Sequence, residues 1–373
     1  MQSTLKIVFA GGGTGGHLYP ALNIAQAIRQ RRPSEILFFG TKRGLEKEKA
    51  PAAGFDVRFI PVAGLQRRLT LKNLTVPLKL AASLYMCRKT LKQFAPHLVI
   101  GTGGYVMGPA LRTAQSMNIP TVLQEQNIFP GMTTRLLAPK AEYVFLPAEA
   151  AKKYFKRQDN LLVTGNPLPV RQSDEKRGDI LKSFGLKEDK QTVLVFGGSQ
   201  GAASINSAVT ELLGKDALPP DVQILWQTGT RHYERIRQLQ GQKGWQGVAV
   251  VPFIDPMYRA YAAADLAVCR AGAMALAELT QAGLPAILIP YPSSSGDHQT
   301  LNAVALSDKN AAMVLKDDSN LTDQLQEALK TVFEIPQLLS VMSDNMRAMH
   351  RADALEIILK KIDELIERHY GQV

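Results

Sequence analysis

The chain has only two cysteines in 373 residues, Cys87 and Cys269, and they stand far apart without metal-ligand spacing. A disulfide framework is excluded, and a reducing, intracellular compartment is expected. No uninterrupted apolar run approaches the roughly 20 residues of a spanning helix. One lysine and a very short apolar run precede the first glycines, so no secretory leader is expected. Low-complexity tracts are missing, and 45% hydrophobic with 21% charged residues is a globular composition. A chain of this length is expected to fold as two domains.

Acidic residues are scarce in positions 1–165, where 8 Asp and Glu face 23 Lys and Arg, a net of +15. The remainder carries 25 against 21, a net of −4. This asymmetry points to an anionic partner of the first half, either nucleic acid or an anionic membrane surface. No aromatic-interleaved module supports nucleic acid, so none is expected as a partner.

Short apolar strands alternate with helices. In the first half they are "KIVFA", "EILFFG", "DVRFIPV", "PHLVIGTGG", "PTVLQEQN" and "AEYVFLP". The polar stretch "NPLPVRQSDEKRGD" reads as a linker, after which the pattern restarts with "TVLVFGGSQGAASINSAV". "VQILWQTG", "VAVVPFI", "ADLAVCRAG" and "PAILIPY" follow. The fold class is therefore α/β: two doubly wound domains, each opening with strand, glycine loop and helix, and facing across a cleft. Ligands are expected beyond the carboxyl ends of the strands. Expected boundaries are 1–165, 166–345, and an amphipathic helix in 346–373 that packs back on the first domain.

The first loop, "GGGTGGHLYP", satisfies G-x-G-x-x-G through Gly11, Gly13 and Gly16. The acid that a dinucleotide fold needs after its second strand is missing, since that strand ends "FFGTKRG". The P-loop lysine and hydroxyl are missing too, replaced by His17 and Leu18. What remains is a helix N-terminus able to accept an anion or polar group. His17 there reads either as a capping or packing histidine or as a general base near neutral pH. The second loop, "GGSQGA", reads as a tight turn or as a diphosphate cradle that includes Ser199. In "CRAGAMALAE", Glu278 can accept two hydrogen bonds from a ribose diol. Asp297 reads as an N-cap, with Gln299 and Asn302 available to sugar hydroxyls.

Together "GGGTGGHLYP", "GTGGYVMGP", "QEQN", "GNP", "GGSQGA", "FIDPM", "CRAGAMALAE" and "DHQTLNA" resemble, in order and over nearly the whole chain, the MurG-type glycosyltransferases. The resemblance implies the GT-B fold, two Rossmann-like domains. It implies inverting transfer of N-acetylglucosamine from UDP-GlcNAc to the C4 hydroxyl of the muramoyl sugar of lipid I, giving lipid II for peptidoglycan. It further implies donor contacts at Thr14, Gly15, Gly16, Asn127, Arg171, Ser199, Ile254, Ala273, Met274, Ala275, Leu276, Ala277, Glu278, Gln299 and Asn302. Gly12, Gly13, Gly103, Gly104 and Tyr105 fall to the acceptor. His17 is the favoured base, with Glu125 and Tyr105 as further catalytic candidates. Two departures stand out. "GNPLPVR" places Pro169 where the family carries an arginine, with Arg171 two positions later. The run "AMALAE" lacks the hydroxyls often found there.

No cofactor is expected. No Asp-x-Asp pair stands ready for a divalent metal, so transfer is expected to be metal-independent, with loop amides stabilising the leaving diphosphate. Gly64–Gln93 carries seven basic residues and no acidic one, interleaved with Leu74, Val76, Leu78, Leu80, Leu84, Tyr85 and Met86. It reads as a core helix with a solvated basic face or as a docking element for anionic lipid. The second reading places the protein peripherally on the cytoplasmic face of the inner membrane. Rival functions are another GT-B lipid glycosyltransferase, a UDP-GlcNAc 2-epimerase and a non-catalytic nucleotide-sugar-binding membrane protein.

Overall fold

The computed structural model describes residues 4–62, 76–170, 173–198, 200–335 and 337–371. It divides into two compact units, Met1–Pro169 with Arg351–Val373, and Val170–His350.

Unit 1 runs β1 (Leu5–Gly11), α1 (Gly15–Arg31), β2 (Ser34–Gly40), α2 (Glu46–Ala52), β3 (Asp56–Phe59), α3 (Val76–Phe94), β4 (Leu98–Gly103), α4 (Met107–Ser116), β5 (Thr121–Gln124), α5 (Met132–Leu137), β6 (Tyr143–Leu146) and β7 (Leu161–Val163). Among the described residues its seven strands are parallel in the order β3-β2-β1-β4-β5-β6-β7. Alternate side chains of β1 serve opposite faces, as the strand pleat requires. Leu5, Ile7 and Phe9 enter one core, while Val8 and Ala10 enter the other with Cys87 and Leu91 of α3. Both faces being covered, the strands read as nearly unbroken apolar runs.

Unit 2 runs α6 (Arg177–Ser183), β8 (Gln191–Phe196), α7 (Ala203–Gly214), β9 (Val222–Gln227), α8 (Tyr233–Lys243), β10 (Val248–Val251), α9 (Met257–Ala263), β11 (Leu266–Cys269), α10 (Ala273–Ala282), β12 (Ala286–Leu288), α11 (His298–Ser307), β13 (Ala312–Val314), α12 (Leu321–Glu334) and α13 (Leu338–Met349). Its sheet has the order β10-β9-β8-β11-β12-β13, again parallel. The chain then returns to unit 1 as α14 (Ala354–Tyr370). Ile358, Leu359, Ile362, Leu365 and Ile366 of α14 join the core that holds Ile24 and Ile28 of α1. Burying each such side chain stabilises by roughly 1.5–3 kcal/mol.

Three local readings change. Strands β7 and β13 add an edge to each sheet that the sequence pattern does not announce; each is only three residues long. Helix α1 starts inside the glycine loop, at Gly15, because packing of Leu18, Leu22 and Ile24 overrides the weak helix propensity of the glycines. Pro20 therefore lies inside the helix. Asp297 stands at the N-cap position of α11 with a φ of 56°, and its carboxylate makes no capping hydrogen bond to the helix amides. It accepts the Thr300 hydroxyl at 2.6 Å instead.

Candidate active site

In unit 1 the strand order reverses between β1 and β4, and the loops leaving their carboxyl ends meet there. The early start of α1 puts His17 on its first turn, half-buried. Thr102 donates its hydroxyl to the His17 carbonyl oxygen at 2.7 Å, fixing that turn to the end of β4. The imidazole lies against Gly103, where any Cβ would overlap the ring. Its Nδ1 is 3.1 Å from Oε1 of Gln126. Thr14 is the N-cap of α1, and Thr14 and Gly16 are exposed beside Gly15. The first amides of a helix lack intrahelical partners, which makes this end a receiver for negative charge.

The glycine loop is held from below by Glu46, a fully buried carboxylate at the start of α2. Glu46 accepts the Gly13 amide at 2.8 Å, the Thr41 amide at 2.7 Å and the Thr41 hydroxyl at 3.0 Å. A cavity of about 720 Å³ opens beside it. Gly12, Gly13 and the 68% exposed Tyr105 line one side. Lys42, Arg43 and Lys79 add positive charge, and Phe59, Ile60, Val62 and Met86 add apolar wall. Such a lining suits an amphiphilic anion.

Glu125 is tied into the loop that follows β5. It is buried, and Oε1 accepts the amides of Gln126 and Asn127 at 3.1 Å and Asn127 Nδ2 at 3.2 Å. Oε2 accepts the Gly131 amide at 3.1 Å. With four N–H groups on its two oxygens, Glu125 orders the 125–131 loop. Asn127, half-buried, is held in that loop.

In unit 2 the order reverses between β8 and β11. The second glycine loop joins β8 to α7 on one side of that point, and α10 starts on the other. Ser199 and Arg171 lie outside the described residues. Gln227, buried at the end of β9, donates to the Gly198 carbonyl at 3.3 Å and accepts the Ile254 amide at 2.8 Å. One side chain thus fixes both the loop and Ile254. Along α10, Ala273, Ala275, Ala277 and Glu278 are half-buried, while Met274 and Leu276 are buried. A ligand above this helix meets small side chains and backbone. Glu278 accepts the Tyr261 hydroxyl at 2.8 Å. Burial, and then the Glu278 charge, push the Tyr261 pKa well up, so the phenol stays a donor.

Gln299 accepts the Tyr291 amide at 2.9 Å, and the buried Asn302 donates to the Ala271 carbonyl at 3.3 Å. Arg270 joins this group, paired with Asp317 at 2.7 Å and donating to Ser204 on the first turn of α7 at 2.8 Å. Among the described residues, no group of three or more His, Cys, Asp or Glu could hold a metal ion.

Sequence reasoning missed Glu46, Thr102, Gln126, Gln227, Tyr261 and Arg270. All act through contacts with residues far along the chain, and Thr102, Gln126 and Arg270 sit inside motifs already singled out.

Comparison with known proteins follows the same division. The glycosyltransferase family 28 N-terminal domain matches residues 7–146, and the glycosyltransferase family 28 C-terminal domain matches residues 192–358. A UDP-N-acetylglucosamine–N-acetylmuramyl-(pentapeptide) pyrophosphoryl-undecaprenol N-acetylglucosamine transferase of Phocaeicola vulgatus is 39% identical over 373 residues, covering 99% of this chain and 98% of that one. The protein of the same name from Desulforamulus reducens is 40% identical, with 98% of this chain and 100% of that one covered. The crystal structure of Acinetobacter baumannii MurG superposes with a TM-score of 0.77 at 27% identity, over 97% of this chain and 100% of that one.

Proposed function

The chain belongs to glycosyltransferase family 28, and on that premise we propose that it moves N-acetylglucosamine from UDP-GlcNAc to the C4 hydroxyl of the muramoyl sugar of lipid I. The observation that carries the reading is the placement of His17: first turn of a helix, carboxyl end of β1, ring against Gly103, Nδ1 held by Gln126. The acceptor O4 attacks the anomeric carbon, the bond from that carbon to the UDP oxygen breaks, and His17 takes the hydroxyl proton. One displacement inverts the anomeric centre. Amides at the second glycine loop stabilise the departing diphosphate, without a metal.

Unit 2 is assigned the donor. Glu278 receives the ribose diol, the Ile254 backbone meets uracil, the Ala273–Ala277 backbone runs under the nucleotide, and Gln299 meets the sugar. Asn302 acts one step removed by holding Ala271. Ser199 and Arg171 keep donor contacts on the strength of the sequence. Unit 1 is assigned the acceptor. The cavity with Gly12, Gly13 and Tyr105, its three basic side chains and its apolar wall supports a lipid-linked diphosphate. Gly103 and Gly104 are assigned to the acceptor, and Thr14, Gly15, Gly16 and Asn127 to the transferred sugar. Glu125 is left out of the chemical step. Tyr105 contacts the acceptor and is not given the proton.

The acceptor is membrane-bound, and α3 supports peripheral docking on the anionic cytoplasmic leaflet. Leu78, Leu80 and Tyr85 stand exposed among Lys79, Arg88, Lys89 and Lys92. Leu74 lies outside the described residues. No helix among the described residues is long and apolar enough to cross a membrane.

The test is one assay with labelled UDP-GlcNAc and a lipid I analogue. UDP and a labelled disaccharide are expected in equal amounts, with turnover intact in excess chelator. His17→Ala is expected to lose about a hundredfold or more in turnover with little change in donor affinity. Consumption of UDP-GlcNAc without disaccharide overturns the transferase reading. His17→Ala turnover near that of the parent overturns only the base assignment.

A further inference from the structure

His17 faces a second question that its position does not answer: which ring nitrogen carries the proton before reaction. Only a bare Nε2 can accept one, because Nδ1 is occupied by Gln126. The occupant is an amide, whose oxygen accepts and whose nitrogen donates, so its orientation decides the tautomer.

That orientation is fixed by groups that cannot flip. Gln126 is buried, and its Nε2 faces the backbone carbonyl oxygens of Thr102 at 2.7 Å and Gln124 at 3.0 Å, as well as Oε1 of Gln124. Turning the amide over would set its oxygen against three oxygens. Gln124 is locked in turn, its Nε2 donating to the Glu125 carbonyl and to Oδ1 of Asn166, each at 3.1 Å. Asn166 closes the network by donating to the Gln126 carbonyl at 3.2 Å. Oε1 of Gln126 is left toward His17, and an oxygen there can only accept.

We infer that Gln126 is a positioning residue that holds His17 as the Nδ1–H tautomer, keeping a lone pair on Nε2 for the incoming hydroxyl proton. The inference rests on the reading of His17 as the base. It adds that the preparation comes from backbone carbonyls relayed through two glutamines, with no carboxylate among the described residues bonded to the imidazole. The partner of the imidazole is thus a neutral amide oxygen.

The test reads the tautomer directly in the full-length protein labelled with nitrogen-15 in its histidine rings, at a pH where the imidazole is neutral. The His17 signal is identified by its loss in His17→Gln. A protonated-type Nδ1 and a bare-type Nε2 are expected; the reverse assignment, or an even mixture, overturns the inference. Gln126→Met removes the acceptor at similar volume and is expected to mix the tautomers and cut kcat by about tenfold or more, with donor KM little changed. Gln126→Glu puts a carboxylate on Nδ1 and is expected to move the acid limb of the kcat profile to higher pH. If a variant does not fold, the tautomer of the unmodified protein decides alone. Were His17→Ala fully active while the tautomer is as stated, the base reading falls and the Gln126 assignment stands.

Discussion

Gly104 lies against Gly12 so closely that a Cβ on Gly104 would overlap the Gly12 carbonyl oxygen. The contact seats the loop after β4 on the loop after β1. Gly104 also has a φ of 77°, which side chains rarely adopt. Gly104→Ala therefore combines strain with a backbone clash. It is expected to destabilise the protein by roughly 1–3 kcal/mol and to lower transferase turnover more than donor affinity. Gly13→Ala is the contrast: its φ is 86°, but a Cβ there meets nothing within 4 Å, so only the strain remains. Equal losses in thermal unfolding for the two variants would show that the loop-to-loop contact contributes nothing.

The Tyr261 hydroxyl holds Glu278 from one side. Tyr261→Phe removes one hydrogen bond to a carboxylate proposed to meet ribose, worth about 1 kcal/mol. UDP binding measured by calorimetry is expected to weaken about fivefold. An unchanged dissociation constant would separate Glu278 from the ribose.

His97 gives unit 1 an acid-sensitive joint. Its Nδ1 accepts the Lys6 amide at 3.0 Å. Burial first, then the Lys6 and Arg32 charges, lower its pKa. A folded pKa below the unfolded one means that the unfolded chain binds more protons in the window between them. The stability from neutral His97 is full above the ordinary histidine value of about 6.5 and is lost as pH falls below it. Melting temperature followed from pH 8 downward is expected to drop more steeply for the parent than for His97→Gln. Parallel curves would remove His97 from the acid response.

The exposed face of α3 separates membrane docking from chemistry. Leu78 is 74% and Tyr85 70% exposed, and neither lines the cavity. Changing both to Ser is expected to lower sedimentation with anionic vesicles about tenfold or more, while turnover on a soluble acceptor analogue stays at the parent level. Vesicle binding that ignores both substitutions would return this face to the solvent.

The parts legible in the sequence are those that neighbouring residues write. Buried parallel strands give unbroken apolar runs such as "LKIVFA", and turns at strand ends demand glycine, so the α/β class and both glycine loops could be read directly. The side chains that tension those loops could not. Glu46 reaches Gly13 across 33 positions, Gln126 reaches His17 across 109, and Gln227 reaches Ile254 across 27. Nothing in the local pattern marks such pairs, since a buried glutamine looks like any polar residue until its partners are placed. Glu125 shows the converse. Its motif was visible, but the four N–H groups that occupy it appear only in three dimensions.

Helix α14 makes the first unit discontinuous along the chain. A ribosome that has released residues 1–169 has made every strand of that sheet, yet Ile24 and Ile28 still await Ile358 and Ile362. All of unit 2 must be synthesised before they arrive. The nascent first half therefore carries an uncovered apolar face for the time that some 180 residues take to emerge, a natural foothold for chaperones.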